Sequence, residues 1–344
     1  MNADVANRIA SGIRGLYLGI SLGVFALATA LAATSLAQPV ITGPDANGFT
    51  WCEVGSPGNA PAKSQEYPNL AFNGVSEIGR VDSTYRVSQN ELTRGQQFQF
   101  VQAYTRVFPA SFDDTRLGGF SIFGLDGQWV TDPSLTNFPG QMSFRYAMQY
   151  CNWLHNGRAE TPEAMLTGAY NVQEFGVNAP REPGAQYWMT SLDEWTKAMY
   201  YDPNKFGPNQ AGYWLYQTMS DTPPVGGLPG TPGAQTSAGD YIRDIPQSHP
   251  VGSYPNAMSP WGLLDGSGGV IEWTDTLFDL DSRPAKGSTS NSQREYRLFD
   301  RLDDFHFLSL NNVLGVRIAT VPSVSGWMFA AIGLTFHAIK RRRS

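Results

Sequence analysis

The chain has 344 residues, with 36 glycines, 23 prolines, nine tryptophans and two cysteines; 16% of its residues are charged and its net charge is −6. It is too apolar and too weakly charged for a disordered chain, and two cysteines exclude a disulfide-dense scaffold and a four-cysteine zinc or iron–sulfur site. The length allows two domains, but abundant Gly, Pro and aromatic residues favour one irregular domain of turns and loops clamped by large flat side chains.

The N-terminus carries Arg8 and Arg14, then an uncharged apolar run from Leu16 to Ala33, then Ser35-Leu36-Ala37. This is the layout of a secretory signal peptide cut after Ala37, so residues 1–37 are predicted to be a signal peptide. The run is also long enough to serve as an uncleaved anchor.

In the body, Phe49 to Glu53 reads as a strand, Ser56-Pro57-Gly58-Asn59 as a turn and Tyr85-Arg86-Val87 as a strand. From Gln89 to Phe108 apolar residues recur every three or four positions, which predicts a helix that Thr93 can cap. Residues 111–140 read as an exposed insertion. Phe144 to His155 is a second helix, ended at Gly157. Ser191-Leu192-Asp193-Glu194 opens a third with a capping box. Residues 203–250, with eight prolines, read as loop. Cys151 lies in an apolar helix; pairing with Cys52 and a free buried thiol are both open.

After Val321-Pro322 the chain is uncharged as far as Ile339 and ends in Lys340-Arg341-Arg342-Arg343. Residues 321–344 resemble the PEP-CTERM class of bacterial sorting signals, although the Pro-Glu-Pro core is missing. A plain C-terminal membrane anchor is the alternative. Both place the body, 38–320, outside the cytoplasm, in the envelope or at the surface of a bacterium. The N-terminal segment holds two arginines and one aspartate and the tail four basic residues, so the body carries −11 against −6 for the whole chain. Such a domain avoids nucleic acid.

Catalytic motifs are sparse. His155, His249, His306 and His337 show no metal-ligand spacing, and there is no nucleophile elbow, phosphate loop or dinucleotide fingerprint. One segment stands out, Asn256 to Thr274, where Asp265 and Glu272 frame three glycines. Two carboxylates and the backbone carbonyls of Gly268 and Val270 are the hard oxygen ligands that suit Ca²⁺. The alternative is a glycine-rich turn into a strand, with Glu272 a surface charge.

The segment GLLDGSGGVIEWT resembles the "GLyDMsGNVwEWt" signature of the formylglycine-generating enzyme, or sulfatase-modifying-factor, family. Arg86 to Ala103, Phe144 to Arg158, Gly184 to Asn204, HPVGSYPNAMSPWGLLD and Val313 to Thr320 resemble further family motifs in the same order. Together they cover roughly residues 49 to 320. Gly184 to Asn204 and Gly212 to Pro224 are most similar to exported, planctomycete-type members. The resemblance implies an α+β class fold: a single irregular domain, elaborated from the C-type lectin. It implies structural Ca²⁺ at Asp265, Gly268, Val270 and Glu272, and a second calcium site near Gly212 to Asp221 whose ligands do not carry over.

The resemblance does not carry the activity over. Family enzymes oxidise a substrate cysteine with copper held by two cysteines of their own. Here Ile318 stands at the cysteine position of the closing "GFRCA" motif, and no cysteine follows Cys151. Soft Cu(I) needs thiolates, so no copper is expected. The "RGGSW" motif survives only as Lys286-Gly287-Ser288-Thr289, and "LPTEaEW" as MTSLDEW. Two readings follow: a non-catalytic surface module binding an extracellular protein, peptide or glycan, or an oxidative enzyme with a metal site of another kind.

Overall fold

The computed structural model describes residues 38–66, 76–112, 114–118, 122–125, 127–238, 249–277, 282–289, 303–306 and 314–322. The predicted signal peptide and all but the first two residues of the predicted tail lie outside these. No helix among the described residues is long and apolar enough to cross a membrane.

From Pro39 onward the described residues form one compact unit. It begins with β1 (Ile41–Thr42) and β2 (Trp51–Val54); the turn at Ser56 to Asn59 follows, and its Gly58 takes the left-handed φ of +75°. Then come β3 (Tyr85–Ser88) and helix α1 (Arg94–Val107). Thr93 caps α1 through a full capping box with Gln96, because its oxygen satisfies a first-turn N–H that has no partner within the helix.

The stretch read as an exposed insertion holds a hairpin, β4 (Ile122–Leu125) and β5 (Gln128–Thr131). It is not wholly exposed: Leu117, Ile122 and Trp129 are buried. Alternation explains the difference, since Gly124 and Trp129 pair on the inner face while Phe123 and Leu125 face outward. Gly124 is required there, because a Cβ would lie 2.6 Å from the Phe112 ring.

Helix α2 (Phe144–His155) is buried along almost its whole surface, and Gly157 at φ +64° ends it. Phe100 and Tyr104 of α1 meet Tyr146, Tyr150 and Trp153 of α2 with ring centroids 5.3–5.7 Å apart. Strand β6 (Tyr187–Met189) and helix α3 (Leu192–Tyr200) follow, the latter with the predicted Ser191–Glu194 capping box. Next come β7 (Ile271–Trp273), β8 (Ser282–Lys286), β9 (Asp303–His306), β10 (Leu314–Val316) and β11 (Ile318–Thr320).

These strands form two main sheets. One has the order β1-β2-β3-β11-β6, the other β9-β8-β7-β10. β7 and β10 are parallel, with Glu272 opposite Gly315. β10 and β11 are successive strands separated only by Arg317, so the chain passes from one sheet to the other at that residue. Helices and sheets share one buried core, to which most tryptophans go: Trp51, Trp129, Trp153, Trp188, Trp195 and Trp273. The aromatic surplus is thus largely spent on packing. Cys52 on β2 and Cys151 on α2 are buried and free, so no disulfide forms.

Candidate functional site

Arg317 is fully buried at the crossing between the sheets. It forms an ion pair with Glu272 of β7, Nη2 to Oε1 at 2.8 Å and Nε to both carboxylate oxygens at 3.0 Å. Its remaining N–H groups donate to the carbonyls of Ser88, Gln89 and Leu264. The second Glu272 oxygen also accepts the indole N–H of Trp195. Arg317 therefore ties β3, β7 and the loop before β7 to one point. Gly315 lets the strands close on it: a Cβ there would lie 2.4 Å from Val270 Cγ2.

The four positions proposed for calcium surround this pair but divide into two groups. Asp265, in a left-handed turn at φ +59°, accepts the Gly252 N–H on both carboxylate oxygens, at 3.0 and 2.7 Å. Burial pushes its carboxyl up to about 6, against the lowering pull of Arg317 and the Gly252 N–H. Gly268, at φ +92°, receives the Ser237 hydroxyl on its carbonyl and donates its N–H to Ser288, within the stretch that corresponds to "RGGSW". Asp265 and Gly268 line one small cavity. Val270 and Glu272 are not among its walls. Glu272 is 1% exposed. It is a buried counter-ion to Arg317, not the surface charge of the alternative reading.

The cavity exposes a residue that the sequence reading missed. Glu91, two residues before the Thr93 cap, is 2% exposed and lines the cavity with Asp265, His249 and Ser267. Its Oε1 accepts the Val270 N–H at 2.7 Å, while its Oε2 has no hydrogen-bond partner. Burial, and then the charges of Glu272 and Asp265, hold its pKa well above the usual carboxylate range. Gly269 lies directly against it, since a Cβ there would fall 2.2 Å from Oε1. No local signal in the sequence marks Glu91; only the packing of Gly269 over it reveals its burial.

Three carboxylates thus gather near one guanidinium that only Glu272 contacts, where uncompensated buried charge is costly. An orphaned carboxylate oxygen beside a half-buried Asp is a donor set that fits a hard cation. The fit is partial, because among the described residues no three His, Cys, Asp or Glu side chains converge closely enough to hold one ion. The cavity end, Glu91 with Asp265, suits a cation. The other end already has one in Arg317.

Among the described residues, other positions that the sequence singled out serve the packing. Ile318 is fully buried in the central sheet, paired with Met189 of β6. His155 accepts the Gln186 N–H and serves its loop. Burial pushes the Cys52 thiol up to about 12 and that of Cys151 well above its ordinary value, which disfavours the thiolate at both.

A family model, the sulfatase-modifying factor enzyme 1-like domain, matches residues 80–300. The chain belongs to this family. Among solved structures, it is similar to Treponema denticola variable protein 1, with 14% identity over 83% of this chain and 100% of that one and a TM-score of 0.50. It is also similar to CarF (17% identity, 80% and 100% coverage, TM-score 0.47) and to PvdO from Pseudomonas aeruginosa (10%, 83% and 99%, TM-score 0.44). No curated protein matches the sequence. The sulfatase-modifying-factor domain accordingly has the mixed α+β, C-type-lectin-like fold expected of it.

Proposed function

We propose that this sulfatase-modifying-factor domain is an exported, non-catalytic binding module of the bacterial envelope or surface. Its partner is an extracellular protein, peptide or glycan. The observation that carries this reading is the fate of the thiols. The chain has two cysteines, both buried and free, one on β2 and one on α2, and Ile318, not a thiol, packs in the core at the closing motif. That position offers Cu(I) no thiolate. Export rests on the signal-like N-terminus and the PEP-CTERM-like tail, which also provides membrane attachment before any processing. The test is to incubate the purified protein with Cu(I), oxygen and a cysteine peptide of the sulfatase type. Mass spectrometry should detect no aldehyde; aldehyde would overturn the reading.

The same reading includes a structural calcium ion in the segment from Asp265 to Glu272. Asp265 and the backbone oxygen of Gly268 act with Glu91 as donors, while Val270 and Glu272 lie outside the cavity and Glu272 holds the loop through Arg317. The orphaned Glu91 oxygen supports this. Calcium bound only to the folded state raises its stability by mass action. Chelation should therefore lower the Tm of the wild-type protein and leave that of Glu91→Gln/Asp265→Asn unchanged. An unchanged wild-type Tm rejects the ion.

A further inference from the structure

A second cation is built into the fold at the segment from Tyr201 to Thr222. Here β-paired Tyr201–Asp202 and Gly212–Tyr213 bring the Lys205 ammonium inside, with its side chain only 6% exposed. Its Nζ donates to the Tyr213 carbonyl at 2.6 Å and to Asp221 Oδ1 at 2.9 Å. It also lies 4.6 Å from the Trp214 ring centroid and 5.1 Å from that of Phe206. A carboxylate, a carbonyl and two aromatic faces are the environment in which ammonium ions are recognised.

In this segment Asp221 Oδ1 and both Asp202 carboxylate oxygens already accept N–H donors. Asp221 Oδ1 accepts Leu215 N–H as well as Lys205. Asp202 accepts the Asn204 N–H on one oxygen and the Trp214 indole on the other. Gly212 makes the arrangement possible, since a Cβ there would lie 2.6 Å from the Phe206 ring and 3.1 Å from Lys205 Cδ. The residues present do not fit the second calcium ion that the family resemblance places near Gly212 to Asp221.

We propose that the Lys205 ammonium is an intramolecular replacement for a metal ion here. It cross-links Tyr213 and Asp221, and the segment takes no divalent cation. The order of this loop is then independent of calcium, whatever happens at the Glu91–Asp265 cavity.

Hydrogen exchange on the full chain tests this, read separately in peptides covering 201–222 and 249–273. Chelator added to the wild-type protein should leave 201–222 unchanged. Lys205→Met, which keeps the stem and removes the charge, should speed exchange in 201–222 by roughly ten- to a hundredfold, the loss expected for charge-assisted hydrogen bonds. Propylammonium added to Lys205→Ala should restore part of the protection. Loss of protection in wild-type 201–222 on chelation, reversed by calcium, would overturn the proposal. So would full protection in a folded Lys205→Met. If Lys205→Met does not fold, the chelation arm and the less severe Lys205→Arg, expected to keep most of the protection, still decide. A response confined to 249–273 concerns the cavity alone.

Discussion

At the scale of single residues the molecule is organised by buried charges. Arg317 and Glu272 are both almost completely inaccessible, and each satisfies the other while Arg317 spends its spare donors on backbone carbonyls. Such a pair adds little net stability compared with apolar packing, but removing one partner leaves a bare buried charge. Arg317→Met should therefore cost about 3–5 kcal/mol in urea unfolding. The double variant Arg317→Met/Glu272→Met should be less destabilised than the single. A single variant within 1 kcal/mol of wild type would show that the pair does not hold the crossing together. Glu91 differs in kind. With one oxygen unpartnered it contributes no such clamp, and its burial makes sense only with a proton or a cation on it.

At the scale of elements, local sequence and observed structure agree most closely where the signal is itself local. The capping boxes at Thr93 and Ser191 depend on residues three positions apart, and both form. Ser191→Ala should lower stability by about 1 kcal/mol, measured as a shift in the urea midpoint at unchanged slope. A neutral result would mean that burial of Trp195 and Met199 alone fixes the start of α3. The α2 helix was legible from its aromatic spacing and its glycine stop. The 111–140 stretch was misread because its apolar residues alternate across a hairpin only four residues per strand, too short for periodicity to register above its Gly and Asp content.

At the scale of the whole molecule, the family motifs are the contact surfaces of one crossing point. The "GVRIA" and "GVIEW" segments are 45 residues apart between Glu272 and Arg317, yet they meet as a salt bridge and a parallel strand pair. The sequence by itself determined the helix caps and the turn glycines, because each depends on residue identity or on neighbours a few positions apart, and its motifs carried the family resemblance that implies the α+β class. Only the tertiary structure decided that Glu272 belongs to Arg317, that Glu91 faces Asp265 in a cavity, and that Lys205 occupies the Tyr213–Asp221 cage. Charge compensation in a low-dielectric interior depends on distance in space, which residue spacing along the chain does not encode.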